Sequence, residues 1–304
     1  MSDIVFLLPF LKNLFKNGLT YTITKFIIFV MQVLLAGTGT SHGMPVINCL
    51  CPRCTSKDPK DNRLRTSAFI RGKNGESIVI DIGPDFRSQA LRYGLPSLDA
   101  VFITHSHADH LHGLDDVRIF SHTCSFAQNR AADCDTLKVY ADRNTIKDIK
   151  NRFSYVFKKT QEGGGKPRIS LKNVEAYKEK PVKIGNLNIL AIPLEHGDIG
   201  TTGYRIEEDD FSIAYLTDCN GLPKSSLEKL KNLDFLIIDA LRKRPHSTHF
   251  NFDEALEVAE MLQAKQTYIT HICHDYTYEE INAYFEKKSH FPIQSAHDGL
   301  ILKK

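Results

Sequence analysis

Thr104-His105-Ser106-His107-Ala108-Asp109-His110, continued by Leu111-His112-Gly113, follows the apolar, β-branched run Leu98-Asp99-Ala100-Val101-Phe102-Ile103. The run reads as a buried strand and the histidine-rich stretch as its exit into a helix. Side chains alternate along a strand with period two, which places His105 and His107 on one side. Asp109 and His110 approach the same point from the turn into the helix. Neutral imidazoles together with a carboxylate suit a divalent transition metal such as zinc, manganese or iron. A lone histidine is usually an ordinary polar residue. Three within six positions, interleaved with an aspartate, form a metal-ligand pattern.

Composition frames this stretch without adding chemistry. The chain has 304 residues, 42% hydrophobic and 25% charged, enough to bury a substantial core in one large α/β domain or two small ones. A formal charge of +3 is too small to argue for an acidic membrane or a nucleic acid, and no nucleic-acid partner is expected. Seven cysteines, three of them within six residues, do not resemble a disulfide framework. Close cysteine spacing in an intracellular chain points instead to metal. No internal repeat or low-complexity tract is present.

Residues 1–30 stand apart from the domain read over 31–304. Ile4, Leu7, Leu8, Leu11, Leu14 and Phe15 follow helical spacing, with Lys12 and Lys16 elsewhere on the wheel. The apolar runs over 4–11 and 26–35 are each too short to span a bilayer. Asp3 and the lack of a small-x-small cleavage site make a poor signal peptide. Three readings stay open: an amphipathic surface helix, an accessory element packed on the domain, or a true start at Met31. The expected location is cytoplasmic, with membrane attachment through residues 1–30 as the alternative.

From Met31 onward the punctuation is clearer. Gln32–Ala36 reads as a strand entering Gly37-Thr38-Gly39-Thr40-Ser41-His42-Gly43, where glycines let the backbone pass close to a site. The spacing is neither a Rossmann nor a P-loop fingerprint. Cys49-Leu50-Cys51-Pro52-Arg53-Cys54 offers three thiolates from one tight loop, and a tetrahedral structural zinc needs a fourth ligand. Ser67–Ile70 and Ser77–Ile82 flank Lys73-Asn74-Gly75, a hairpin signal. The helix expected next carries Arg87 and Tyr93 as surface or packing residues. Cys124 and Cys134 have no evident partners and read as plain residues. The stretch 158–167, with three consecutive glycines, reads as a polar connector between the two halves.

Gly-Thr-Gly-Thr-Ser-x-Gly-x-Pro, then Cys-x-Cys-x-x-Cys, then His-x-His-x-Asp-His resembles the metallo-β-lactamase superfamily. Within it, the combination is similar to the phosphoribosyl cyclic phosphate phosphodiesterases of phosphonate breakdown. The resemblance runs from about Met31 to the C-terminus. It implies an α/β fold, the four-layer αβ/βα sandwich, with a metal centre at one edge of its two sheets. It also implies that Asp81 orients the ligands rather than binding metal. Asp115 and Asp116 resemble a recurring pattern of the family, and Arg118 would meet an anionic substrate or form an ion-paired helical face.

The second half supplies further candidates. Val182–Pro193 contains a Gly-Asn turn between short strands and leads to Leu194-Glu195-His196-Gly197, where a histidine just after a strand suits a ligand at the sheet edge. Phe211–Asp218 is a strand ending in a carboxylate that can bridge two cations, and Asp218 matches the bridging residue of the family. Leu233–Ala240 is another buried strand, with Asp239 near the site end. Arg242-Lys243-Arg244 could bind a substrate phosphate, although exposed basic runs are commonly just solvated. His249 matches an additional active-site histidine, with His246 as competitor. Asn251 followed by Glu254 caps a helix over Phe252–Leu262. Gln266–Thr270 delivers His271 and then His274, which by the resemblance joins Cys49, Cys51 and Cys54; Cys273 is the nearby alternative. A helix over Tyr278–Phe285 and a strand at His297–Leu300 close the chain.

The implied constellation is dinuclear. One divalent ion, zinc or manganese, takes His105, His107, His196 and Asp218; the other takes Asp109, His110, Asp218 and His271. A third, structural zinc takes the Cys loop. Two adjacent divalent ions lower the pKa of a bridging water and neutralise charge developing at phosphorus. The expected activity is hydrolysis of 5-phosphoribosyl 1,2-cyclic phosphate or a related cyclic nucleotide, with His249 as proton donor and Asp218 as the shared ligand. The partner is then a small phosphorylated molecule, and a homodimer is compatible with it. The rivals are a tRNA-processing nuclease, the B protein of pyrroloquinoline quinone biosynthesis, and a non-catalytic metal-binding or membrane-associated protein.

Overall fold

The computed structural model describes residues 30–122, 136–158, 166–177 and 179–304. In chain order the strands are β1 (Gln32–Gly37), β2 (Ser67–Arg71), β3 (Ser77–Ile80), β4 (Ala100–Phe102), β5 (Leu137–Ala141), β6 (Ile169–Asn173) and β7 (Val182–Ile184). They continue with β8 (Leu187–His196), β9 (Ile199–Glu208), β10 (Phe211–Leu216), β11 (Phe235–Asp239), β12 (Gln266–Thr270), β13 (Ile293–Ser295) and β14 (Leu300–Lys303). One sheet has the order β14-β1-β2-β3-β4-β5-β6 and the other β13-β12-β11-β10-β9-β8-β7. The strands β4, β10 and β11, central in their sheets, are almost wholly buried, as their mainly apolar sequences require when both faces are covered.

Period-two alternation divides the apolar residues into layers. Val33, Leu35, Ile78, Ile80 and Phe102 of the first sheet meet Ile189, Tyr204, Ile206, Ile213, Tyr215 and Ile237 of the second in one core between the sheets. Their neighbours Leu34, Val79 and Val101 point outward to Phe86, Leu111, Leu114 and Ile149. On the other outer face Leu236, Ile238 and Ile269 pack under Phe252, Leu256, Ile281 and Phe285 of the helices Phe252–Leu262 and Tyr278–Lys288. Helix, sheet, sheet and helix stack as the four-layer αβ/βα sandwich.

Several element ends differ from the sequence-based expectation. The strand expected over 98–103 is only Ala100–Phe102, so His105 and His107 lie in the loop before the short helix Ala108–Leu111. Strand alternation is therefore not what brings them together. β8 continues through His196, because its pairing with β9 extends to His196↔Ile199. The last strand starts at Leu300, leaving His297 and Asp298 in the preceding turn. The segment after Gly113 is a 3-10 turn over Leu114–Val117 rather than α-helix. Residues 1–29, with Cys124, Cys134 and 159–165 of the glycine-rich connector, lie outside the described residues. Among the described residues no helix is long and apolar enough to cross a membrane.

Candidate metal centre

The candidate residues leave the sheets at one edge. Asp81 follows β3, Thr104–His110 follow β4, His196 ends β8, Asp218 follows β10, Asp239 ends β11 and His271 follows β12. Asp81, Asp218 and His271 each have φ near +60° (62°, 55° and 59°), a left-handed conformation that costs a non-glycine residue of order 1 kcal/mol or more. Three such residues at one edge show that the surrounding structure forces the backbone to aim these side chains inward. The ligand loop is held from outside as well. Ser106 Oγ donates to Asp148 at 2.6 Å, and Arg152 bonds the Ser106 carbonyl.

Two ligand groups converge there. His105, His107, His196 and Asp218 form one and Asp109, His110, Asp218 and His271 the other, with the donor atoms of each group within 4.8 Å of one another. His105 Nε2 faces His107 Nδ1 at 2.8 Å and Asp218 Oδ2 at 3.7 Å. Asp218 Oδ1 lies 3.2 Å from His110 Nε2 and 3.3 Å from His271 Nε2. The two oxygens of Asp218 are thus divided between the groups, as a bridging carboxylate needs.

Hydrogen bonds behind the rings set which nitrogen faces inward. His110 Nδ1 donates to Asp81 Oδ2, His196 Nδ1 to the Thr248 carbonyl and His249 Nδ1 to Asp239 Oδ2, each at 2.7 Å. Nε2 of His110 and His196 is left facing the other donors, as a hydrogen bond behind a ligating ring arranges, and Nε2 of His249 is left facing the cavity. Asp81 also accepts from the Thr104 amide at 2.9 Å, which ties β3 to the ligand loop.

Burial pushes the pKa values of His105, His107 and His196 down, so these rings are neutral, as ligands must be. His110 goes the other way. Burial opposes its charge, but the Asp218, Asp109 and Asp81 carboxylates raise its pKa well above the ordinary value; a cation held by Asp109 and Asp218 would offset those charges and let the ring be neutral. Burial likewise works against the charge of Asp109 and Asp218, and His110 outweighs it and keeps both carboxylates ionised.

The donor set fits a pair of divalent cations. His110 Nε2 and His271 Nε2 are buried and make no hydrogen bond, although carboxylate oxygens stand 3.2–3.5 Å away. Buried polar atoms are normally satisfied, and atoms converging without bonding one another are explained by a shared cation. Cys49, Cys51, Cys54 and His274 form a separate group, with the three sulfurs 3.7, 3.8 and 3.3 Å from His274 Nδ1. Cys273 is buried outside that group. The backbone N–H of Cys54, followed by His274, brings the Cys51 thiol down to about 6, favouring the thiolate a zinc site uses.

A cavity of about 360 Å³ opens over the two groups, lined by His107, Asp109, His196, Asp218 and His271 together with Ser41, Asp198, Ile199, Thr248 and His249. Asp239 carries His249: burial opposes charge on the ring, but the Asp239 carboxylate and its hydrogen bond raise the His249 pKa to about 9. His246, the competing candidate, is not part of the lining; its Nδ1 takes a hydrogen bond from the Thr248 amide at 3.3 Å.

The cationic substrate-binding candidates are not brought into the pocket. Arg118 is half-exposed and pairs with Asp115, which also takes the Tyr155 hydroxyl. Arg242 is half-buried away from the lining. Lys243 lies over the rings of Tyr276 and Tyr284, and Arg244 pairs with Asp275 at 3.2 Å. The basic run thus braces the loop against the helix Tyr278–Lys288 rather than presenting charge to a ligand. Asp198, Ile199, Ser41 and Thr248 had no sequence signal beyond their neighbours; the Gly197 turn was the one available hint.

A family model described as a beta-lactamase superfamily domain matches residues 76–272. A crystal structure of a diphosphatase from the PhnP family is 38% identical, with a TM-score of 0.78 over 90% of this chain and 98% of that one. The chain belongs to the metallo-β-lactamase superfamily and to its PhnP family. An octanoyltransferase of Porphyromonas gingivalis is 35% identical over 80% of this PhnP-family chain. The chain spans only 46% of that relative, about half its length. A coenzyme PQQ synthesis protein B of Methylobacterium sp. (strain 4-46) is 25% identical over 69% of this chain and 72% of its own.

Proposed function

We propose that the chain is a metal-dependent phosphodiesterase that opens a cyclic phosphate diester of the 5-phosphoribosyl 1,2-cyclic phosphate or cyclic nucleotide type. The observation that carries this reading is His249, which lines the cavity over two ligand groups sharing Asp218 and is tied to Asp239 through Nδ1. His105, His107, His196 and Asp218 would hold one divalent cation, and Asp109, His110, Asp218 and His271 the other, zinc or manganese. Cys49, Cys51, Cys54 and His274 would hold a structural zinc. Bound cations supply Lewis acidity, offsetting charge on the phosphoryl oxygens and lowering the pKa of water.

The contribution of His249 follows from its tether. With Nδ1 bonded to Asp239, a proton on Nε2 faces the cavity. As the water oxygen bonds to phosphorus and releases one proton to solvent, the opposite P–O bond breaks and the Nε2 proton passes to the departing ribose oxygen; His249 regains a proton from solvent before the next turnover. The ring opens to a phosphomonoester and a free hydroxyl. His105, His110, His196 and His271 are buried and His107 is exposed, so water reaches the site from the side of His107 and the cavity. A second reading, hydrolysis of a linear diphosphate, is favoured by the whole-length similarity to the PhnP-family diphosphatase.

Incubation of purified, metal-analysed protein with 5-phosphoribosyl 1,2-cyclic phosphate, a 2′,3′-cyclic nucleotide and a dinucleoside diphosphate separates the readings. Opening of a cyclic substrate by protein holding about three metals per chain is the expected result. Turnover of the diphosphate alone would replace the first reading with the second, and turnover of none would reject both.

A further inference from the structure

Once the ligand groups and His249 are set aside, the lining of the cavity contains Asp198, Ile199, Ser41 and Thr248. Asp198 and Ile199 occupy the tip of the β8–β9 hairpin, beyond the left-handed Gly197 (φ 56°). The tip is fastened on two sides. Gly197 N–H donates to Asn220 Oδ1 at 3.2 Å, and Asn220 Nδ2 donates to the Ser247 carbonyl at 2.8 Å. Thr248 Cγ2 sits 2.8 Å from where a Gly197 Cβ would lie. The hairpin tip is therefore held at a set distance from the His249 loop.

The charge there differs in kind from the charge deeper in. Asp109 and Asp218 belong to ligand groups, so bound cations would offset them; Asp198 belongs to none. Among the described residues no lysine or arginine lines the cavity, and Asp198 has no ion-pair partner. Beside it, Ile199 keeps 48% of its surface exposed. A carboxylate next to an exposed aliphatic side chain accepts hydrogen bonds from hydroxyls and covers a flat apolar face. It repels a phosphomonoester, which carries close to two negative charges at neutral pH.

We infer that Asp198 and Ile199 are specificity-determining residues that select a cyclic diester whose remaining substituent is uncharged, a nucleoside, over one bearing a second phosphate. The inference rests on the phosphodiesterase reading and narrows it: the one free ribose hydroxyl, at C5′ of a 2′,3′-cyclic nucleotide, faces Asp198 and the base lies against Ile199. Of the two substrate types named above, the cyclic nucleotide is the one this rim accommodates.

The test compares kcat/KM for two matched pairs in wild type, Asp198→Asn and Asp198→Lys. The cyclic pair is adenosine 2′,3′-cyclic phosphate against 5-phosphoribosyl 1,2-cyclic phosphate. The linear pair is thymidine 5′-(p-nitrophenyl phosphate) against its 3′-phosphorylated counterpart. The wild type should favour the uncharged member of each pair by about tenfold or more. Asp198→Lys should invert that preference through KM rather than kcat, with Asp198→Asn between. A ratio that Asp198→Lys leaves unchanged, or a wild type that favours the phosphorylated member, overturns the inference. Turnover of the linear pair without the cyclic pair would sink the cyclic-diester reading by itself, and the linear ratio would still decide the role of Asp198.

Discussion

Asp218 and His249 line the same cavity but are held by different neighbours. Asp218 is split between two groups of nitrogens, whereas His249 leans on Asp239 and stacks on His271 at 4.7 Å between ring centres. This difference separates their expected phenotypes. Asp218→Ala should abolish turnover and lower the metal bound per chain, because both groups lose a donor. His249→Ala should cut turnover by roughly 10²–10⁴-fold, the range of a lost general acid, while the metal content stays at the wild-type value. Metal analysis beside the kinetics decides it. Loss of metal from His249→Ala would make His249 a ligand within the Asp239, His249 and His271 group and end its assignment as proton donor. Asp239 also accepts the Cys219 amide at 2.9 Å, so its carboxylate is fixed from the strand side before it orients the ring.

At the scale of elements, the loop over 37–43 that leads to the Cys loop is fastened to the end of β12, beside the candidate ligand His271. Thr40 N–H donates to the Ile272 carbonyl at 3.1 Å and Ile272 N–H to the Thr38 carbonyl at 3.0 Å. His274 meets the three cysteines three residues beyond His271. Cys51→Ser should release the metal of that loop and cost about 3 kcal/mol, a Tm decrease of roughly 6–12 °C, while kcat changes far less. Thermal unfolding of metal-analysed protein checks this, and an unchanged Tm in a variant that has lost the metal would remove the structural role. Local signals made much of this level legible. The helix Phe252–Leu262 and the strand Gln266–Thr270 end where the pattern placed them, because the Asn251–Glu254 capping box and a run of buried positions are properties of adjacent residues. The ligand groups were grouped through family resemblance, since their members are brought together by long-range pairing. The bond between Asp239 and His249, the hairpin tip at Asp198 and the outward bracing of Lys243 and Arg244 depend on contacts across separate elements, which no local periodicity encodes.

For the molecule as a whole, the two ends of the described chain meet at the first sheet, where β14 pairs with β1. Asp298, in the turn before β14, closes that junction by accepting from Thr38 Oγ1 at 2.8 Å and from the Leu64 amide at 2.7 Å. Burial raises its pKa to about 7; the Leu64 amide, the Thr38 hydroxyl and the Arg63 guanidinium pull the other way without prevailing. The folded protein therefore holds this proton more tightly than the unfolded chain, whose carboxyl titrates near the ordinary value of 3.8. The stabilising contribution is full below about pH 4 and is lost as pH rises through about 7, at about 1.4 kcal/mol per pH unit and about 4 kcal/mol in all. Asp298→Asn should remove that dependence. The amide lacks one acceptor oxygen, which imposes a constant cost at every pH, but it does not ionise. Relative to wild type the variant should thus gain stability between pH 4 and about pH 7 and level off above it, visible as a narrowing or reversal of the difference in denaturant unfolding free energy. A difference that stays flat across that range would mean Asp298 keeps an ordinary carboxylate pKa, and that the charge of buried Arg63 and the hydrogen bonds from Leu64 and Thr38, rather than the cost of burying a charge, govern the closure between β14 and β1.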